Sequence, residues 1–186
     1  MRIIAGEWRG RPLAALGKGD AGAHLRPTTD RVRESLFSML SGGRFGDPVT
    51  GRQVLDLFAG TGALGLEALS RGAAGATFVD DGRVAGRLIR ENIARLGAGQ
   101  RARLLRRDAL RLGACRGAPA GLVFCDPPYG RGLGEPALAA ALAGGWVAPG
   151  ALVVWEESAR VAPVDGLALL DERRYGDTVI HVLEAE

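Results

Sequence analysis

Apolar and polar positions follow two rhythms along this chain. Near-continuous apolar runs at 53–58, 76–79, 102–105, 121–125 and 151–155 predict strands buried on both faces. Between the first three, residues 62–70 and 83–96 carry helical spacing, and Val84, Leu88, Ile89, Ile93 and Leu96 form the inner face of the second. An earlier helix is predicted from Thr28 or Thr29, either of which can cap it, with Val32, Leu36, Phe37 and Leu40 as its apolar stripe. That stripe leaves Arg31 and Arg33 nearer the open side. Strand and helix alternating in this way predict an α/β fold, a doubly wound and mostly parallel sheet that binds ligands at the carboxyl ends of its strands. Two closing runs, 167–170 and 178–183, flank Tyr175-Gly176-Asp177 and predict antiparallel terminal strands, which brings the sheet to seven. At the front, Ile3-Ile4-Ala5-Gly6 and Trp8-Arg9-Gly10-Arg11-Pro12-Leu13 predict a small β-hairpin, and residues 16–24 a glycine-rich loop. The chain shows no internal repeat.

Length sharpens this picture. At 186 residues one α/β core with a small appendage is expected, divided as a basic extension at 1–24 and a main domain at 25–186. A composition 47% apolar and 24% charged is that of a folded protein. No apolar stretch reaches the length of a membrane span and no signal-peptide core stands at the front, so a cytoplasmic protein is expected. Cys115 and Cys125 have neither zinc-site nor redox-motif spacing; both are read as reduced, and no metal is expected.

The formal net charge is +3, and the excess is local. Arg2, Arg9, Arg11, Lys18, Arg26, Arg31 and Arg33 face only Glu7, Asp20, Asp30 and Glu34 among residues 1–34. A basic front of this kind points to a polyanion, because neutralising phosphates releases counterions. Arg101, Arg103, Arg106, Arg107 and Arg111 make a second basic group that reads equally as a solvated rim.

Two motifs carry chemistry. Gly60, Gly62 and Gly65 satisfy G-x-G-x-x-G directly after the first strand, and Asp80 follows Gly60 by twenty residues, where a ribose-binding acid belongs. This pattern fits NAD and S-adenosylmethionine alike. Asp56, just before the loop, would repel a pyrophosphate but attract an amino group; Asp108, after the third strand, can accept from an adenine amine. The tetrad Asp126-Pro127-Pro128-Tyr129 ends the fourth strand. Its prolines donate no amide hydrogen and leave nearby carbonyls free to accept, so a carboxylate, a carbonyl and a ring converge as equipment for a planar amine. Hydride transfer calls for no such group, and the balance favours S-adenosylmethionine.

Four blocks together resemble the class I S-adenosylmethionine-dependent methyltransferases, and more closely the small-subunit ribosomal RNA (guanine-N2)-methyltransferases of the RsmD type. They are Arg2 to Gly6 with Trp8 to Arg11, Leu25 to Phe37, Leu55 to Ala68, and the Asp126 tetrad. The resemblance implies a Rossmann-like methyltransferase sheet. It implies a cofactor site of Asp56, Phe58, Ala59, Gly60, Gly62, Asp80, Asp108 and Ala109 for S-adenosyl-L-methionine. It further implies catalytic roles for Asp126, Pro127 and Tyr129, and substrate contacts at Arg9, Arg11, Arg26, Thr28, Thr29, Arg31, Arg33 and Pro128. The implied partner is ribosomal RNA of the small subunit, within an assembling particle or free. One departure is visible: the second strand ends in Asp80-Asp81 where glutamate is usual in the family.

On this reading the guanine amine attacks a sulfonium methyl, with Asp126 and the Pro127 carbonyl holding its two hydrogens and Tyr129 stacking on the extruded base. Alternatives stay open from the residues alone. An adenine-N6 methyltransferase acting on DNA or RNA uses the same tetrad, a protein-glutamine methyltransferase usually carries Asn in place of Asp126, and a non-catalytic RNA-binding module can keep the fold. His24 and His181 read as structural, and Trp146 and Trp155 as packing.

Overall fold

The computed structural model describes residues 1–17, 29–159 and 161–186. The apolar runs become β1 (Gln53–Leu57), β2 (Gly75–Val79), β3 (Ala102–Leu105), β4 (Ala120–Cys125) and β5 (Val147–Glu157), all parallel. The strands β6 (Leu167–Tyr175) and β7 (Thr178–Ala185) pair as a hairpin, and β7 also lies antiparallel against β5. The sheet order is β3-β2-β1-β4-β5-β7-β6. From β1 the chain winds outward to β3 and then returns to the other side as β4, so the direction reverses between β1 and β4. That is where a doubly wound sheet opens a crevice. Register levels the strand ends: Leu57 lies beside Val79 and Cys125, Val79 beside Leu105, and Cys125 beside Trp155.

Among the described residues, four helices cover the sheet: α1 (Asp30–Leu40), α2 (Ala63–Ser70), α3 (Arg83–Leu96) and α4 (Gly134–Ala143). Thr29 caps α1, its hydroxyl accepting from the Val32 amide at 3.3 Å. Every residue of α2 is buried, and α3 ends on Gly97 in the left-handed conformation, as helices commonly do. Helix α4 was not foreseen. Half its residues are alanine, it has no capping side chain, and its buried residues are Gly134, Ala137, Leu138 and Ala141, too little contrast to show a period. Alternate residues of β4 feed two cores: Leu122 and Phe124 join Phe37 and Phe78, while Val123 and Cys125 join Leu138 and Trp155.

The N-terminal residues fold back on themselves with one antiparallel bridge, Arg2 to Pro12, rather than two full strands. Ile3, Trp8 and Leu13 are buried in the same core as α1 and α2. The expectation for Arg33 needs correcting. Arg33 is 0% exposed, because residues 33, 36, 37 and 40 recur at helical spacing and share the inward face, whereas Val32 is only half-buried.

Candidate active site at the carboxyl ends of the strands

Beyond the level strand ends lies one rim: Phe58 to Gly62 after β1, Asp80 after β2, Asp108 beyond β3, Asp126 after β4, and Glu156 with Glu157 closing β5. The β1 loop is held tightly. The Ala59 amide donates to Val79 O at 3.0 Å and the Gly62 amide to Ala59 O at 2.6 Å. Gly60 and Gly62 take positive φ, a conformation glycine adopts without strain, and a Cβ at Gly62 would press on Phe78 and Ile89. Phe58, at φ 58°, is the one non-glycine residue of the described set in that region, and its ring packs on the core around Leu57, Val79 and Cys125.

Among the cofactor candidates, Asp56 stands a layer deeper than expected. It is 1% exposed and its Oδ2 accepts from the Gly65 amide at 2.9 Å, in the first turn of α2. Burial pushes its carboxyl up to about 8, against the lowering effect of that amide. So Asp56 braces the loop from below. Asp80 sits at the surface of the site: Oδ2 accepts from Gly60 N at 2.9 Å and Oδ1 from Gly82 N at 2.8 Å, joining the loop to the start of α3. Its pKa is raised by burial and partly restored by those two amides. Asp81 is exposed, so of the two neighbouring acids Asp80 is the one at the loop. Asp108 caps a short 3₁₀ turn (Ala109–Arg111), accepting from Leu110 N at 2.9 Å, and Ala109 is buried beside it.

The tetrad faces this loop. The Asp126 amide donates to Leu57 O at 3.4 Å, so the end of β4 is tied to the residue that precedes the glycine turn. Asp126 is half-buried, Pro127 buried and Pro128 exposed. Tyr129 donates its phenol hydrogen to the Glu156 carboxylate and lies 2.9 Å from Thr178 Oγ1. Burial, and then Glu156, hold the phenol above its ordinary pKa and keep it neutral. Glu157 accepts from Gly130 N at 3.4 Å and from Ser158 N at 2.7 Å. Glu156, Glu157 and Thr178 were missed by sequence reasoning. Two consecutive acids closing the apolar run 151–155 were the available signal.

The basic candidates divide. Arg9 and Arg31 are exposed. Arg11 is exposed but spends its guanidinium on the last carbonyls of α3, Leu96 O at 3.4 Å and Arg95 O. Thr29 caps α1, Arg33 is interior, and Arg26, Thr28 and His24 lie outside the described residues. Arg101 of the second basic group pairs with Glu7 at 2.7 Å and lies over the Trp8 ring. Both cysteines are free, and His181 is buried with Nε2 at 3.2 Å from Ala159 O. Trp155 is fully buried, and Trp146 donates to Gly113 O at 2.7 Å.

Acids at the ends of β2, β4 and β5, and beyond β3, favour a cationic ligand over a pyrophosphate. With the glycine turn and these acids on one rim, the residues present fit S-adenosylmethionine.

Comparison with known proteins identifies the family. The family model described as conserved hypothetical protein 95 matches residues 1–184. Ribosomal RNA small subunit methyltransferase D of Escherichia coli K12 is 45% identical over 156 residues, 84% of this chain and 74% of that protein. The Haemophilus influenzae protein of the same name is 36% identical over 159 residues, covering 84% of this chain and 78% of its own length. Among solved structures, yhhF of Escherichia coli superposes with a TM-score of 0.82 at 38% identity, covering 100% of this chain and 98% of that one. Thermus thermophilus protein TTHA0928 gives 0.74 at 32% identity, with 98% of both chains covered. Among the described residues no helix is long and apolar enough to cross a membrane.

Proposed function

This chain belongs to the conserved hypothetical protein 95 family, and from that premise we propose that it transfers a methyl group from S-adenosylmethionine to the exocyclic N2 amine of a guanine in small-subunit ribosomal RNA. The names of the Escherichia coli and Haemophilus influenzae relatives supply the substrate class. The observation that carries the reading is the place of Asp126, one backbone hydrogen bond from Leu57 at the mouth of the glycine loop.

When bound, S-adenosylmethionine supplies an electrophilic methyl on a cationic sulfonium. The chain's own residues do the rest. The guanine N2 lone pair is delocalised into its ring, so the amine is a weak nucleophile until its hydrogens are fixed. The Asp126 carboxylate and the Pro127 carbonyl accept those hydrogens, aim the lone pair and favour the positive charge that develops on nitrogen. Once methylated, the amine is strongly acidic and Asp126 can take its proton. Tyr129, the last residue of the tetrad, is anchored through its hydroxyl and offers its ring for base stacking. Asp80 is the acid for the ribose, Asp108 and Ala109 border the adenine side, and Phe58, Ala59, Gly60 and Gly62 form the cradle. The basic extension at 1–24 contributes Arg9, and α1 of the domain at 25–186 contributes Arg31, as exposed phosphate contacts.

The test is to supply small-subunit RNA, free and assembled into particles, from cells lacking the protein. Purified enzyme should methylate one guanine at N2, and Asp126→Ala should abolish transfer while cofactor affinity stays within a few fold. Methyl appearing on an adenine N6, or loss of cofactor binding in Asp126→Ala, would overturn the assignment.

A further inference from the structure

Asn92 lies on the inner face of α3 and is 0% exposed. Its amide is fully engaged. Nδ2 donates to Thr61 O at 2.9 Å and to Ala14 O at 3.2 Å, while Oδ1 accepts from Ala14 N at 2.6 Å. Thr61 stands between Gly60 and Gly62 in the cofactor loop; Ala14 stands in the N-terminal segment, which also carries Arg9 and Arg11. One buried side chain therefore holds together the peptide of the cofactor cradle and the backbone of the basic front.

Other contacts point the same way. Thr61 Oγ1 lies 3.7 Å from the sulfur of Met1, and Met1 O accepts from Leu13 N at 3.1 Å. The segment is moored on α2 by Glu67, which accepts from Ile4 N and Ala5 N, and by Ser70, which accepts from Trp8 N. These moorings lie at the far end of α2 from the loop. At the loop itself, the hydrogen bonds that join backbone to backbone through one buried side chain run through Asn92.

We propose that Asn92 is a positioning residue that couples the cofactor loop to the N-terminal segment, so that cofactor binding and RNA binding strengthen each other. This rests on the function proposed above. A ligand that fixes the Thr61 peptide also fixes Asn92 and, through its paired bonds, Ala14; the segment bearing Arg9 and Arg11 is then ordered once for both ligands. Linkage makes the effect reciprocal.

The full chain is tested by amide hydrogen exchange with and without S-adenosylhomocysteine, and by binding to a small-subunit ribosomal RNA transcript under the same two conditions. In the wild type, S-adenosylhomocysteine should slow exchange in both 59–65 and 1–15, and should tighten RNA binding by roughly fivefold or more. In Asn92→Ala, protection should persist at 59–65 and vanish at 1–15, with the tightening reduced to about twofold or less. Wild-type protection confined to 59–65, or unchanged coupling in Asn92→Ala, would overturn the inference while leaving the methyltransferase reading intact. No protection in either segment would remove both. Should Asn92→Ala fail to fold, Asn92→Ser takes its place with the same expected readouts.

Discussion

Arg33 and Glu67 face each other in the interior, guanidinium Nε to carboxylate Oε2 at 3.7 Å, with neither side chain exposed. Glu67 does more than balance Arg33. Its Oε2 accepts from Ile4 N at 2.8 Å, and its Oε1 accepts from Ala5 N at 3.0 Å and from Arg71 Nε at 2.7 Å. Arg71 in turn lies over the Phe37 ring at 4.7 Å. Arg33 also donates to Arg2 O and to Asp30 at 3.0 Å. A single buried carboxylate thus joins α1, α2 and the N-terminal segment.

Removing that charge should be costly. Glu67→Gln keeps the volume but leaves the Arg33 guanidinium buried without its interior counter-charge, so the unfolding free energy should fall by about 3 kcal/mol or more. Replacing both partners, Arg33→Met with Glu67→Gln, should recover part of the loss. Urea titrations of the two variants check this. A Glu67→Gln midpoint equal to the wild type would show that the pair is not what joins the three elements.

The sheet was legible because most of β1, β2 and β4, and residues 151–155 of β5, are buried and read as near-continuous apolar runs, while α3 shows a clean period. Legibility failed where a polar side chain faces inward. Arg33 occupies an apolar position on α1, and its charge argued for solvent although its spacing with Leu36, Phe37 and Leu40 placed it inside. Asp56 and Asn92 are hidden for the same reason: their partners are backbone groups 9 and 78 residues away, which no local pattern reports. Glycine spacing and the tetrad pointed to the candidate site, but the carboxylates Glu156 and Glu157 at its edge required the hairpin β6–β7 to be in place. Alanine-rich α4 carried no contrast to read.

Asp56 gives a dependence on pH. Its native carboxyl titrates near 8 against 3.8 ordinarily, so between these values the folded chain keeps a proton that the unfolded chain has lost. Stability linked to this group is therefore full below about pH 4 and declines as pH rises toward 8. Asp56→Asn keeps an oxygen to accept from the Gly65 amide and does not titrate. Relative to that variant, the wild type should lose on the order of a few kcal/mol between pH 4 and pH 8. Chemical denaturation of both across this range is the measurement. A constant difference would mean that the carboxyl is ionised throughout.

Tyr129→Phe separates the ring from its anchor. The variant keeps the aromatic face but loses the bonds to Glu156 and Thr178, so the loop after Pro128 should loosen. Turnover should drop by about tenfold and the KM for RNA should rise, since misplacing a reacting group by about an ångström is worth that much or more. Affinity for S-adenosylhomocysteine should stay within about twofold, because Glu156 and Thr178, the hydroxyl's two partners, stand on β5 and β7 rather than on the Phe58–Gly62 loop. Equal losses in cofactor and RNA affinity would instead mark Tyr129 as part of the cofactor cradle.

Gly65→Ala tests how closely α2 must sit on the sheet. A Cβ there would fall 2.5 Å from Phe78 Cε1 and 3.1 Å from Asp56 Oδ2, and both side chains beneath are buried. Neither can yield without disturbing β1 or β2, so the helix must lift. Overpacking of this kind costs about 1–3 kcal/mol. Because α2 begins directly at Gly62, the lift also displaces the loop, and S-adenosylhomocysteine binding should weaken by about tenfold, equivalent to about 1.4 kcal/mol. Gly117→Ala is the control: a Cβ at that exposed position meets nothing within 4 Å, so stability should stay within about 0.5 kcal/mol. Calorimetric titration of both variants decides the matter, since unchanged binding in Gly65→Ala would show that the loop tolerates movement of its helix.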